Sequence, residues 1–206
     1  MALADAVETL LKGDTVTGDA TDERILQVAV ERFTRFGIAR TSADDVARAA
    51  RVNRTTLYRR IGTKDQLVIA AMAYEVHRMR AEVVRESEAI GDSVERLLHG
   101  FVAALQALRH NRWIQQLIRD GEIEFLLDDT HTLFHAGAAM VAERIRQCWN
   151  EIGYTGGGDA DVIAAVVARL IQSLVTMPDA PPVLSTTEDI RAFADVYVRA
   201  LIFSTG

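Results

Sequence analysis

The chain has 206 residues, 49% of them hydrophobic and 25% charged, a composition that supports a folded core and excludes a disordered or fibrous protein. Its net charge of −6 argues against an overall electrostatic attraction to nucleic acid. The single cysteine, Cys148, excludes an intrachain disulfide, and neither a signal peptide nor an apolar run of membrane-spanning length is present, so we expect a cytoplasmic protein.

Cap signals divide residues 21–67 into three short helices followed by the start of a longer one. Gly37 is a natural helix stop, because glycine adopts positive φ easily. Ser42 with Asp45 and Thr63 with Gln66 each fit a capping box, and Asn53 can cap the helix between them. The helices predicted from these signals and from apolar spacing are 22–36, 43–50, 54–61 and 64–84.

Beyond Gly91 the apolar spacing is helical throughout, without a period-two strand run. Asp159 is a candidate cap, and Ser185 with Glu188 fits a capping box for the last helix. We therefore expect an all-α fold in which an extension (1–20) and a helix-turn-helix head (21–67) precede an all-helical body (68–206). The helices predicted in the body are 92–108, 112–118, 122–127, 130–151, 159–176 and 188–203.

The charges are divided unevenly along the chain. Between Thr21 and Arg80 there are 12 Lys and Arg against 7 Asp and Glu, a net of +5, whereas the rest has a net of −11. A basic segment attached to an acidic remainder is typical of a protein in which one module binds nucleic acid. The two short helices joined by a tight turn within this segment are typical of a helix-turn-helix.

The helix over residues 54–61 has the residue types expected of a recognition helix. With Leu57 buried, Thr55 and Arg59 point away from the core at 100° per residue. Arg59 can donate two hydrogen bonds to guanine, and threonine methyls can contact thymine; the alternative is a solvated helix face. Tyr58, Lys64 and Ser42 suit phosphates. The candidate DNA contacts are Thr41, Ser42, Asn53, Arg54, Thr55, Thr56, Tyr58, Arg59, Arg60 and Lys64.

This segment resembles the tetracycline-repressor (TetR-like) family over about residues 25–67. The similarity is most specific in Thr56-Leu57-Tyr58 and in Lys64-Asp65-Gln66-Leu67. It implies a homodimeric transcription regulator with a DNA-binding head and a variable helical body that binds a ligand and forms the dimer. The departures from the family pattern are Arg51 in place of Gly, Asn53 in place of Ser, Thr55 in place of Gly and Ile61 in place of Phe.

The resemblance also implies that the last two long helices pair across a two-fold axis. Two recognition helices ~34–36 Å apart would then bind a pseudo-palindromic operator in double-stranded DNA. The faces of the helices predicted over 159–176 and 188–203 independently suit burial. The candidate dimer contacts are Val162, Val166, Leu170, Leu174, Phe193, Val196, Tyr197 and Ala200.

The middle helices are rich in large apolar residues, each of which suits either a core or a ligand cavity. A ligand-gated regulator would place a small, mainly apolar effector there, and the effector would release a repressor from its operator. The candidate ligand contacts are Phe101, Leu105, Trp113, Gln116, Phe125, His131, Phe134, His135 and Met140.

Other functions remain open at this point. A regulator of this kind can lack a small-molecule ligand and respond to a protein partner or to its own abundance, and it can activate rather than repress. His131 and His135, four residues apart and close to Asp128, leave a helical metal-binding protein as an alternative, although we expect no metal or cofactor. The chain has no phosphate-binding glycine loop and no nucleophile elbow, so we do not expect an enzyme.

Overall fold

The computed structural model describes residues 19–121, 132–156 and 158–203. Every regular element in these ranges is helical, which confirms the all-α prediction. Residues 1–18 of the predicted extension and the helix predicted over 122–127 lie outside the described residues. The helices are α1 (Ala20–Phe36), α2 (Ala43–Ala49), α3 (Arg54–Arg60), α4 (Lys64–Ser87), α5 (Ser93–His110), α6 (Arg112–Arg119), α7 (Thr132–Ile152), α8 (Ala160–Thr176), α9 (Thr187–Phe193), a π-helical segment (Ala194–Val198) and α10 (Arg199–Ile202).

The chain forms two compact units. The head unit contains the described residues up to Arg78 and those between Arg112 and Leu133, and the body unit contains Met79–Asn111 and the described residues from Phe134 onward. Helix α4 contributes residues to both units. The boundary at residue 67 between the predicted DNA-binding head and the predicted ligand-binding and dimerisation body stays a prediction. No helix in the described ranges is both long and apolar enough to span a membrane.

The helices of the head begin at polar caps. Asp19 accepts hydrogen bonds from the backbone N–H groups of Thr21 (2.7 Å) and Asp22 (3.2 Å), so α1 begins two residues before its predicted start. These donors, the N–H of Thr21 first, hold the pKa of Asp19 below its ordinary value. Asn53 accepts from the N–H of Thr56 at 2.7 Å and caps α3 as predicted.

The core of the head unit is built from one apolar face of each helix. Ile25 and Phe33 of α1, Val46 of α2 and Leu57 of α3 are all almost fully buried. Trp113 of α6 completes this core, because its ring stacks on Phe33 with centroids 5.5 Å apart. The result is a rigid support for the short helix α3, which buries only Leu57.

The turn between α2 and α3 contains Arg51 at φ +55°, the only non-glycine residue with positive φ in the described part of the chain. The TetR-like pattern has Gly at this position, and glycine adopts this conformation without steric cost. Arg51 therefore adopts the backbone conformation that this turn requires. The conformation is unfavourable for arginine, because it brings Cβ too close to the following carbonyl oxygen.

Arg51→Gly is expected to raise the free energy of unfolding by about 0.5–1 kcal/mol, because relief of the left-handed strain exceeds the added entropy of the unfolded chain. Urea denaturation followed by circular dichroism measures the change. The matched control is Arg48→Gly, an exposed helical position in α2 where the substitution should destabilise by about 1 kcal/mol. A destabilised Arg51→Gly variant would contradict this account of the turn.

The body unit has its own core, formed by α5, α7, α8 and the last helix. Leu105 and Ile145 are fully buried, and Cys148 is a buried core residue, so burial raises the pKa of its thiol. Arg109 ties the end of α8 to the following loop, because its guanidinium donates to the carbonyls of Leu174 (2.9 Å) and Leu184 (2.6 Å).

The last helix differs from its prediction in two ways. Its cap is Thr186 rather than Ser185: the Thr186 hydroxyl accepts from the N–H of Asp189, whose carboxylate accepts from the N–H of Thr186. The helix also contains the π-helical segment, where Asp195 pairs with Arg191 and Arg199, each at 3.1 Å. A π-helical turn contains more residues than an α-helical turn. The residues after this segment are therefore rotated about the helix axis relative to their positions in a regular α-helix.

Candidate nucleic-acid interface

Helix α3 presents an exposed polar face on the head unit. Thr55 and Arg59 are exposed and lie opposite the buried Leu57, which is the orientation expected from the helical repeat. The guanidinium of Arg59 makes no hydrogen bond or ion pair within the described part of the chain. It is therefore available to a partner outside the protein.

Beside this face lies a cleft of about 290 Å³ in the head unit. Three cationic side chains, Arg40, Arg54 and Lys64, line it together with one carboxylate, Asp44. Such an excess of positive charge around hydroxyl groups suits a phosphate. The complete lining is Ala39, Arg40, Thr41, Ser42, Ala43, Asp44, Arg54, Tyr58 and Lys64.

Ser42 is one of the residues that line this cleft, and Asp45 holds it in place. Its hydroxyl donates to Asp45 Oδ2 at 2.6 Å and accepts from the Asp45 N–H at 3.1 Å, while the Ser42 N–H donates to the same carboxylate. These bonds complete the predicted capping box of α2. The Ser42 hydroxyl, with its backbone N–H second, holds the pKa of Asp45 below its ordinary value.

Thr41 and Arg60, two of the predicted DNA contacts, have partners within the head unit. Thr41 is only 2% exposed, and its hydroxyl donates to the carbonyl of Gly37 at 2.8 Å, so its side chain stabilises the loop after α1. Arg60 donates to Asp19 (2.7 Å) and Asp22 (3.0 Å) and thereby joins the end of α3 to the first turn of α1. We therefore leave both side chains out of the proposed contact surface.

Two charged residues of the cleft, Arg40 and Asp44, are not among the DNA contacts predicted from the sequence. Arg40 directly precedes the predicted contacts Thr41 and Ser42, and that adjacency was a usable signal. Asp44 is negatively charged and would repel a phosphate, so it is not expected where phosphate contacts are predicted from basic and hydroxyl side chains. Its place in the cleft becomes visible only from the packing of α2 against α3.

The candidate ligand contacts are distributed over both units. Trp113 is only 1% exposed and belongs to the core of the head unit, whereas Gln116 of the same helix is half-buried in that unit. Phe101 belongs to the body core and stacks on Phe193 at 6.3 Å. Leu105 is buried in the body, Phe134 and Met140 are half-buried there, and His135 is exposed. Phe125 and His131 lie outside the described residues.

The candidate dimer contacts divide into exposed and buried groups. Val196 and Tyr197 of the π-helical segment are 60% and 59% exposed. Val162 and Val166 of α8 are exposed as well. Leu174, in contrast, is buried within its own chain. Leu170 and Phe193 are half-buried, and Ala200 is exposed.

Comparison with known sequences places the head in a family. Residues 25–71 match the family described as bacterial regulatory proteins, tetR family. The HTH-type transcriptional repressor Rv3405c of Mycobacterium tuberculosis is 35% identical over 97 residues, which are 47% of this chain and 46% of that protein. The match thus spans about half the length of this curated relative. The uncharacterized HTH-type transcriptional regulator Rv2250c of the same organism is 27% identical over 88% of this chain and 92% of its own length.

Solved structures share the fold over most of the chain. The transcriptional repressor QsdR of R. erythropolis, from the TetR family, superposes with a TM-score of 0.65 at 18% identity and covers 92% of this chain and 97% of its own. Thermus thermophilus FadR, a TetR-family repressor in complex with lauroyl-CoA, gives a TM-score of 0.59 at 21% identity, covering 88% and 93% of the two chains. These similarities extend the shared fold beyond the head.

Proposed function

Because this chain belongs to the TetR-like family of bacterial regulatory proteins, we propose that it is a transcription repressor that binds a pseudo-palindromic operator as a homodimer. The main support for this proposal is the exposed polar face of α3 beside the basic cleft of the head unit. A helix of this kind enters the major groove, while the cleft at its side receives the phosphate backbone.

The residues of this surface have different roles in the proposal. Arg59 donates to guanine O6 and N7, and Thr55 contacts a neighbouring base, because both are exposed on the outer face of α3. Arg40, Lys64 and Tyr58 contact phosphates from the cleft. Base contacts select the sequence, whereas phosphate contacts add affinity for any DNA.

The second subunit is proposed to cover the exposed apolar side chains of the body. Val162 and Val166 of α8, with Val196 and Tyr197 of the last helix, are exposed apolar side chains on the two helices that are predicted to pair across the two-fold axis. Burial of these side chains between two copies would supply a hydrophobic driving force and would hold two heads on one DNA duplex.

We propose that a small, mainly apolar effector releases the repressor from DNA. The FadR neighbour in complex with lauroyl-CoA supports an acyl-chain ligand class for this fold. The effector acts only through a difference in its affinity for the DNA-bound and free states. Helix α4, which begins at Lys64 and contributes to both units, is the element proposed to transmit that difference.

A gel-shift titration tests the proposal. The full chain is titrated against its own upstream intergenic DNA and against random duplex at two salt concentrations. We expect salt-sensitive binding with preference for the intergenic sequence, in units of two subunits. Release by an acyl-CoA would support the effector proposal, and binding without any sequence preference would contradict operator recognition.

Arg59→Ala is expected to weaken operator binding by about 1–3 kcal/mol and to relax the sequence choice, because it removes a base contact. The affinity for random duplex should change much less. Fluorescence anisotropy on operator and random DNA measures both quantities. Equal losses on the two duplexes would show that Arg59 contacts phosphate rather than a base.

Lys64→Ala is expected to weaken binding to all sequences alike. Loss of one phosphate contact should flatten the slope of log K against log salt concentration by about 0.9. The same anisotropy titrations, repeated over a range of salt concentrations, give this slope. An unchanged slope would remove Lys64 from the phosphate contacts.

A further inference from the structure

Asp44 is the one acidic side chain among the residues that line the basic cleft of the head unit, and it forms an ion pair with Arg54. Arg54 Nη1 donates to Asp44 Oδ2 at 3.0 Å. The guanidinium carbon of Arg54 also lies 5.2 Å from the centroid of the Tyr58 ring, within the range of a cation–π contact. Arg54 is therefore held from two sides, by a carboxylate on α2 and by an aromatic ring one turn along α3.

Asp44 is not needed to cap α2, because its neighbour Asp45 completes the capping box with Ser42. The other carboxylate oxygen of Asp44, Oδ1, is buried and has no hydrogen-bond partner within the described part of the chain. A buried, unpartnered oxygen costs stability, and a carboxylate that faces DNA costs affinity through repulsion of phosphates. The contact that this carboxylate does make is with Arg54.

The position of Arg54 explains why this contact matters. Arg54 is the first residue of α3, and the N-terminal residues of a recognition helix lie closest to the base edges. An arginine free to move there would bind phosphates of any sequence. An arginine fixed by a carboxylate and a ring presents its donors in one orientation, which is what selection of a base requires.

We propose that Asp44 is a specificity-determining positioning residue, which fixes Arg54 for a base edge and withholds it from the phosphates of non-operator DNA. This inference rests on the proposed function, since it assigns Arg54 to the same DNA surface. Asp44 itself makes no contact with a base in this account.

The test is Asp44→Asn, measured by anisotropy on random and operator duplexes over a range of salt concentrations. Release of Arg54 should steepen the salt slope on random DNA by about 0.9, which corresponds to one additional phosphate contact. The preference for operator should fall by about five- to tenfold, as for a weakened base contact. In an Arg54→Ala background, Asp44→Asn should change the two quantities no more than the net-charge control Asp65→Asn does, because the specific effect of Asp44 acts through Arg54.

Asp65→Asn is the matched control, since it removes the same charge from an exposed position of the head without touching Arg54. Equal effects of the two substitutions would reduce the role of Asp44 to net charge and overturn the inference. An unchanged slope and preference in Asp44→Asn, or effects beyond those of Asp65→Asn that persist without Arg54, would overturn it as well. Asp44→Ser is measured alongside, so that poor folding of one variant does not decide the result.

If the wild-type chain shows no operator preference, the proposed function is contradicted. The salt slopes of the wild type and Asp44→Asn on random DNA still show whether the ion pair with Asp44 withholds Arg54 from phosphates. A wild-type chain that binds no DNA contradicts both.

Discussion

Trp113→Ala is expected to lower the free energy of unfolding by about 3–5 kcal/mol, the usual cost of removing a fully buried aromatic side chain. Trp113 is 1% exposed and stacks on Phe33, itself buried in α1. The substitution should leave a cavity in the core that supports α3. Urea denaturation followed by circular dichroism measures the loss.

Arg119→Ala is the control for this experiment, because it changes an exposed residue of the same helix, α6. It should alter the free energy of unfolding by no more than about 0.5 kcal/mol. A Trp113→Ala variant that is nearly as stable as wild type but has lost effector binding would return Trp113 to the ligand contacts predicted from the sequence.

Val196→Glu is expected to abolish the homodimer and to weaken operator binding by at least about 100-fold. The substitution places a charge on an exposed apolar position of the π-helical segment, where two copies are proposed to meet. A monomer loses the effective concentration that holds the second head near its half-site, typically a factor of 10²–10⁴. Light scattering after gel filtration gives the mass, and anisotropy gives the affinity.

Val183→Glu is the matched control, since Val183 is also an exposed valine, at 54%, but lies in the loop before α9 and outside the candidate dimer contacts. It should remain dimeric and bind operator as the wild type does. A Val196→Glu variant that remains a dimer with full affinity would show that this segment is not at the interface.

The sequence predicted those features of the fold that depend on neighbouring residues. The capping box of Ser42 with Asp45 and the cap at Asn53 involve residues within three positions of each other, so a short pattern contains the whole interaction. The cap of the last helix could not be predicted from the sequence pattern alone. Ser185 and Thr186 are both competent caps, and the cap in the structure is Thr186, whose hydroxyl accepts from the N–H of Asp189.

Features that depend on distant residues could not be predicted in this way. The ion pairs of Arg60 join residues 41 and 38 positions apart, and the stack of Trp113 on Phe33 joins α6 to α1. A pattern along one helix cannot distinguish a solvent-exposed arginine from one paired across the fold. For the same reason the helical repeat placed Thr55 and Arg59 on the outer face of α3 but gave no sign that Asp44 would hold Arg54.

Operator recognition by a dimer is tested by selection of bound duplexes from a random DNA library with the full, purified chain. We expect enrichment of a pseudo-palindrome whose half-sites are about one helical turn of DNA, or a multiple of it, apart, because two α3 helices of one dimer must enter successive major grooves. Enrichment of one unpaired half-site would contradict the dimeric arrangement. A bound pool as random as the starting library would contradict operator recognition by this protein.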